Sequence, residues 1–198
     1  MQDTLENIAI NHSHSLILKA QKGDQKAFGK LVGLWYKRIY NFCLKYFGDH
    51  DLAMEATQKT FIAVYKNIKR LKDSQRFRYW IYKIALNQCR AEDRNRKQKS
   101  WYSIFHNKEA SEVVDEFHNP EQEYQKMEKE EIICDMLMSL PEDQRVLVIM
   151  KEYEGMKFRE IADALVISES TAKSRLYYGL ARLRRMIEKS ELNLNVTL

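Results

Sequence analysis

The stretch EGMKFREIADALVISESTAKSRLYYGLARLRR, residues 154–185, decides the fold of this chain. Apolar residues recur at helical spacing in its first half and predict a short amphipathic helix over residues 157–165. After a three-residue turn, Ser168 stands in an N-cap position and opens a longer helix over residues 169–189. A short helix, a tight turn and a longer helix are typical of a helix-turn-helix.

The longer helix has one narrow apolar arc and a polar face. We expect packing from Ala172, Leu176, Leu180, Leu183 and Ile187. The opposite face carries Thr171, Ser174, Tyr178 and Arg185, with Ser170, Arg175, Tyr177 and Arg182 at its edges. In a helix-turn-helix this face enters the major groove, where Arg suits bidentate contact with guanine. The pattern alone also fits a helical hairpin with a solvated charged face.

The composition favours a folded, helical chain. Hydrophobic residues make up 44% and charged residues 31%, and only 6 Gly and 2 Pro occur. Three widely separated cysteines read as reduced thiols, and we identify neither a signal peptide nor an apolar run long enough to span a membrane. We therefore expect an all-α protein located in the cytoplasm, with no direct membrane insertion.

The breaks in periodicity predict two small helical domains joined by a flexible linker. Helices are expected over residues 15–22, 24–47, 51–71, 74–96, 120–139 and 142–153, besides the two above, with Pro141 in a first turn. The predicted segments are a disordered tail (1–14), a first domain (15–96), a linker (97–124), a second domain (125–188) and a tail (189–198).

Charge is sorted into blocks along the chain. Residues 66–99 contain twelve Lys or Arg against three acids, and residues 102–131 contain nine acids against three Lys. With a net charge of +5, this distribution suggests a polyanionic partner for the basic block.

A basic row lies along one face of the helix predicted over residues 74–96. Its members are Arg76, Tyr79, Lys83, Asn87, Arg90 and Arg94. Cations attract phosphates, while an aromatic ring and an amide can meet bases, so the row suits a nucleic-acid strand. A solvated basic face is the alternative. Phe77 and Trp80 are expected in the core.

The helix predicted over residues 51–71 has an apolar residue on its outward face. Ile62 lies there among Asp51, Glu55 and Gln58, which hints at a docking surface. A lone exposed isoleucine is common, and that alternative stays open.

Together these motifs resemble the bacterial sigma factors of RNA polymerase, in the compact extracytoplasmic-function (ECF) group. The matching segments are KGDQKAF (22–28), DLAMEATQKTFIAVYKNI (51–68), FRYWIYKIALN (77–87), LPEDQR (140–145) and the opening stretch. The resemblance covers residues 15–96 as sigma domain two and 125–188 as sigma domain four. It implies a protein that directs core polymerase to promoters and helps to melt DNA.

The resemblance implies a role for each surface. The segment that docks on a coiled coil of the polymerase's largest subunit carries Asp51, Glu55, Gln58, Phe61 and Ile62. The loop from Leu71 to Arg76 captures a flipped promoter base, and the basic row engages the downstream element during melting. The upstream element is expected to meet Ser170, Thr171, Lys173, Ser174, Arg175 and Tyr178. The acidic linker would lie in basic channels of the polymerase.

The implied partners are core RNA polymerase, through its coiled coil and flap, promoter DNA and an anti-sigma factor. No small-molecule substrate, cofactor, metal or catalytic residue is expected, because the chain has no Gly-rich phosphate loop, HExxH motif or His/Asp/Glu cluster. The alternatives are a stand-alone helix-turn-helix regulator and, as an enzyme, a DNA recombinase.

The chain departs from the family pattern at three positions. Val166 and Ser170 replace the usual Gly, and Ala91 replaces a frequent Asp. Because a Val in a left-handed turn would be strained by roughly 1–2 kcal/mol, we expect that turn to be built differently.

Overall fold

The computed structural model describes residues 13–103 and 132–196, which form helices and turns and contain no strand. The all-α expectation is confirmed. Within these residues no helix is both long and apolar enough to cross a lipid bilayer.

The N-terminal domain is built from four helices. They are α1 (13–21), α2 (Gln25–Phe47), α3 (His50–Asn67) and α4 (Phe77–Ser103), with 3-10 turns at Ile68–Arg70 and Ser74–Arg76 between α3 and α4. Asp24 caps α2 by accepting a hydrogen bond from Ala27 N at 3.0 Å. Gly48 ends α2 in the left-handed region, with φ 66°. The sequence predicted both breaks.

Aromatic side chains form the centre of this domain. The Trp35 ring meets Phe77 edge-on with centroids 5.4 Å apart, and Phe42 meets Tyr82 in the same way at 5.4 Å. Trp35 Nε1 donates to Ser13 Oγ at 3.1 Å, which satisfies the one polar atom of the buried indole. These contacts fix α4 against α2 and so orient the basic row.

The C-terminal domain contains α5 (132–138), α6 (Glu142–Val148), a π-helical segment (Ile149–Tyr153), α7 (Phe158–Leu165) and α8 (Glu169–Val196). Its core includes Leu147, Ile149, Met150, Ile161, Ala172 and Leu176. α7, the turn and α8 form the predicted helix-turn-helix. The Gly179 backbone lies against α6, where a Cβ would stand 3.2 Å from Val148 Cγ2.

The turn between α7 and α8 contradicts one expectation. Val166 adopts the left-handed conformation, with φ 57° and ψ 50°, and its N–H donates to Ala162 O. The turn is therefore built as in the family pattern despite the missing glycine. The Val166 side chain is 77% exposed, so the strain is local to the backbone and creates no packing conflict.

Several predicted boundaries are wrong. Ser13 and His14 belong to α1 rather than to a tail. α4 continues to Ser103, and α8 to Val196, because the residues beyond 96 and 189 contain no Gly or Pro to end a helix. The rest of the predicted linker, residues 104–124, lies outside the described residues, as do residues 1–12, the start of the helix predicted from 120, and residues 197–198.

Two smaller expectations are also wrong. Pro141 is the N-cap of α6 rather than a first-turn residue, with a non-helical ψ of 144°. Ile187, expected to pack, is 44% exposed, whereas Leu180 and Leu183 are partly buried against the core.

Candidate nucleic-acid interface

An open pocket of about 430 Å³ lies where the chain enters α4. Its walls come from the loop before α4, from the first turns of α4 and from Asp163 of α7. They comprise Arg70, Leu71, Lys72, Asp73, Arg76, Tyr79, Trp80, Lys83 and Asp163. Gln21 Nε2 fixes the loop by donating to Ile68 O at 2.9 Å and to Leu71 O at 2.7 Å.

The pocket combines positive charge with aromatic surface. Four of its lining residues are Lys or Arg, and the Arg76 guanidinium lies 4.9 Å from the Tyr79 ring centroid. Trp80, predicted in the core, is only partly buried and lines the pocket. Such a cavity has the chemistry to hold a base beside a phosphate.

The structure brings part of the predicted downstream set together. Leu71, Arg76, Tyr79 and Lys83 line one pocket, whereas Asn87, Arg90 and Arg94 lie further along α4. Asn87 and Arg94 are exposed, and Leu71 is 9% exposed, so Leu71 shapes the pocket floor. Sequence reasoning missed Arg70 and Lys72 as individual residues, although both belong to the basic block.

The first turn of α8 is tied together by hydroxyl groups. Ser168 Oγ accepts from Thr171 N at 3.0 Å, which confirms the predicted N-cap, and lies 2.8 Å from the hydroxyls of Ser170 and Thr171. Ser174 Oγ donates to Ser170 O at 3.0 Å. These bonds make the start of the helix rigid.

The side chains predicted to read DNA share one side of α8. Ser170, Lys173, Ser174 and Tyr178 are exposed, with Tyr178 at 69%, and Thr171 and Arg175 are partly exposed. Arg175 Nε lies 3.3 Å from Asp143 Oδ2 of α6. This pair holds the guanidinium near the helix surface while leaving its other nitrogens available.

The predicted docking face of α3 is exposed except at one residue. Asp51, Glu55 and Gln58 are exposed, and Ile62 is 54% exposed. Phe61, which the resemblance placed on this surface, is 8% exposed and stacks on Tyr36 with centroids 6.1 Å apart. Phe61 therefore supports the face from beneath rather than forming it.

Lys59 connects this face to α4. Its Nζ lies 2.7 Å from Glu55 Oε1 and 2.6 Å from Glu92 Oε2. Hydrogen bonds to these two carboxylates raise the pKa of the Lys59 ammonium above its ordinary value. The three charges keep α3 in register with α4.

The two domains contact each other along α4. Arg90 Nε donates to Glu142 Oε1 at 2.7 Å, and Arg76 Nη2 lies 3.2 Å from Asp163 Oδ2. Tyr82 donates its hydroxyl proton to the Glu154 carboxylate. No single segment of the sequence signals these contacts, because each joins residues more than fifty positions apart.

Two family models match the chain. The description "Sigma-70 region 2" matches residues 31–101, and "Sigma-70, region 4" matches residues 130–183. The first range contains the α4 pocket, and the second contains the helix-turn-helix. The chain belongs to the sigma-70 family.

Relatives place this sigma factor in the ECF group. It is 27% identical over 179 residues to the ECF RNA polymerase sigma-E factor of Haemophilus influenzae, covering 88% of this chain and 92% of that protein. It is 29% identical over 178 residues to the ECF RNA polymerase sigma factor SigW of Bacillus subtilis, covering 86% and 94%.

Solved structures share its fold. CnrH, in complex with the cytosolic domain of CnrY, superposes with a TM-score of 0.68 at 20% identity, covering 90% of this chain and 98% of that one. The sigma factor RpoE of Bartonella quintana, in complex with the anti-sigma factor NepR, gives 0.64 at 19% identity, covering 82% and 98%.

The chain is therefore an RNA polymerase sigma factor, a transcription initiation factor that directs core polymerase to promoters. A stand-alone helix-turn-helix regulator is not favoured, because such a protein would not explain the match over residues 31–101.

Proposed function

We propose that α4 and the loop before it read and open the downstream promoter element. The pocket of about 430 Å³ carries this assignment, because it places four cationic side chains and two aromatic rings around a space of suitable size. Unstacking a base costs a few kcal/mol, and stacking and phosphate contacts in such a pocket offset that cost.

The basic row extends this site along the helix. Lys83 and Arg94 meet phosphates, while Asn87 offers an amide to a base edge or a sugar. Because Asn87 and Arg94 are exposed, they reach a strand that leaves the pocket without any rearrangement of the domain.

α8 reads the upstream element through the major groove. Its polar side presents hydroxyls, one ammonium and one guanidinium within two turns, and Arg175 is the candidate for bidentate guanine contact. The residues assigned here are Ser170, Thr171, Lys173, Ser174, Arg175 and Tyr178. The N-terminal domain thus acts as sigma domain two and the C-terminal domain as sigma domain four.

The exposed face of α3 docks on the coiled coil of the polymerase's largest subunit. Ile62 provides apolar area at its centre, and Asp51, Glu55 and Gln58 provide a polar rim. The C-terminal domain contacts the flap.

The sigma factor works in the cytoplasm, without enzymatic activity of its own. An anti-sigma factor is a further partner, because both structural neighbours above were solved with one or with the cytosolic domain of a second protein. The fold that they share with this chain supports that assignment.

Run-off transcription tests the role of α4. Lys83→Ala with Asn87→Ala removes two side chains of the basic row for which no ion pair across the domains is seen, and we expect output from the cognate promoter to fall at least about tenfold at unchanged polymerase affinity. Lys30→Ala, on the exposed side of α2, is the control. Equal output from the double variant and the control would refute the assignment.

A further inference from the structure

Three carboxylates of the C-terminal domain lie along α4. Asp163 contacts Arg76 at the start of the helix, Glu154 contacts Tyr82 near its middle, and Glu142 contacts Arg90 two turns later. They come from three different elements, α7, the turn after the π-helical segment, and α6. Two of the cations that they meet belong to the basic row.

The middle contact is buried. Tyr82 is 0% and Glu154 is 8% exposed. Arg78 Nη2 also donates to Glu154 O. A carboxylate is seldom buried unless it is paired, and Glu154 finds its partners on the other domain. The contact between the domains is therefore a built interface rather than a chance approach of two surfaces.

Side chains on α2 continue the interface. The Lys45 ammonium lies 4.8 Å from the Tyr153 ring centroid, and the Arg145 guanidinium lies 5.1 Å from that of Tyr46. A Cβ placed on Gly48 would stand 3.2 Å from Met138 Cγ. The C-terminal domain thus packs against both α2 and α4.

We propose that this packing is an autoinhibited state, in which Glu142, Glu154 and Asp163 occupy the positions that DNA phosphates take on α4. The inference rests on the proposed function of the basic row and names its intramolecular competitor. Arg76 and Arg90 cannot pair with these carboxylates and with phosphates at once. Asp163 also forms part of the pocket wall, so a strand cannot fill the pocket while α7 is in place.

The competition has a physical consequence for the free sigma factor. Single-stranded DNA has to displace the C-terminal domain before it reaches α4, so its observed affinity is reduced by the fraction of open chains. Any partner that separates the domains removes this reduction without contacting DNA itself.

Charge reversal tests the proposal on the full chain. Glu142→Arg with Asp163→Arg turns two attractions into repulsions, and both residues are nearly half exposed, so the domain still folds. The matched control is Asp135→Arg with Glu152→Arg, which makes the same charge change at exposed positions of the same domain. Circular dichroism checks the fold of both variants.

The first measurement is the radius of gyration by small-angle X-ray scattering, without polymerase or DNA. Because exposed ion pairs are each worth up to about fivefold in an equilibrium, we expect reversal of both to shift the closed-to-open ratio at least about tenfold and to increase the radius. The control keeps the wild-type radius. Adding Arg76→Glu and Arg90→Glu to the reversal variant restores both pairs and the compact form.

The second measurement is the affinity for a fluorescein-labelled dT12 strand. The reversal variant should bind at least about fivefold more tightly than the equally charged control. An unchanged radius would overturn the closed state, and an increased radius with equal dT12 affinity would overturn the competition. Neither readout uses transcription, so failure here is separate from failure of the Lys83 and Asn87 test.

Discussion

Gly179 of α8 and Val148 of α6 approach so closely that a Cβ on the glycine would stand 3.2 Å from Val148 Cγ2, with Gln144 Cβ at 3.3 Å. The two helices of the C-terminal domain thus meet at the one position of α8 without a side chain.

Gly179→Leu should lower the free energy of unfolding of the C-terminal domain by about 1–3 kcal/mol, because the added atoms overpack this contact. Chemical denaturation measures the loss. Gly29→Leu is the matched control on α2, where a Cβ meets nothing within 4 Å, and it should be neutral or slightly stabilising. Equal stability of the two variants would show that α6 and α8 separate easily.

Val166→Gly should stabilise the helix-turn-helix by up to about 1–2 kcal/mol, since glycine adopts φ 57° without steric conflict. Val166→Ala keeps a Cβ and should gain much less. Thermal unfolding distinguishes the two, and a larger gain from alanine would locate the strain in the side chain instead of the backbone.

Arg175→Ala should remove about 1–3 kcal/mol of discrimination between the cognate upstream element and a mutated one. The measurement is competition binding of the polymerase holoenzyme to the two duplexes. Arg182→Ala, on an exposed later turn of α8, should weaken both duplexes alike. If Arg175→Ala did the same, the side chain would be a phosphate contact.

Ile62→Glu should weaken binding to core polymerase at least about tenfold, because it places a charge at the centre of the apolar contact. Leu18→Glu, at a similarly exposed leucine of α1, should leave the affinity unchanged. Fluorescence titration with core enzyme provides the comparison, and an unaffected Ile62→Glu variant would remove α3 from the interface.

Acidification should favour the closed state. Burial raises the pKa of Glu154 above its ordinary value of 4.5, against the opposing effects of Tyr82, Lys45, Arg38 and Arg78. Opening returns the carboxyl to water and lowers its pKa, so the closed form binds the proton more tightly. Closure therefore strengthens as pH falls from about 7 towards 5 and weakens as pH rises through the raised pKa.

The radius of gyration measured across this pH range checks the sign. Glu154→Gln carries no titrating group, so its radius should stay compact and depend little on pH. A Glu154→Gln variant with the wild-type pH profile would assign the titration to another group.

The sequence was sufficient for the features that depend on neighbours along the chain. Helical periodicity, the Asp24 and Ser168 caps and the basic row all follow from local spacing, and the helix-turn-helix follows from its two amphipathic segments. Motif order then indicated the family. Local rules also explain the mistaken boundaries, because a polar segment such as residues 97–103 carries too little apolar signal to separate a helix from a linker.

Contacts between distant residues were not predictable in this way. Glu142 reads as a favourable first-turn acid, and nothing near it indicates Arg90 as its partner. Tyr82 and Glu154 each look ordinary alone, and only the packing of the two domains makes them a buried pair. Phe61 shows the converse, since the resemblance placed it on a surface that the fold covers.

The π-helical segment Ile149–Tyr153 acts as a spacer of one residue. Its wider turn, closed by Glu154 N donating to Ile149 O at 3.1 Å, accommodates one residue more than an α-helix of the same pitch. Removing that residue would restore α-helical winding and rotate everything downstream by about 100°. The direction in which the helix-turn-helix faces is thus set by chain length at a single point, and a one-codon deletion there would re-aim it without touching any DNA-reading side chain.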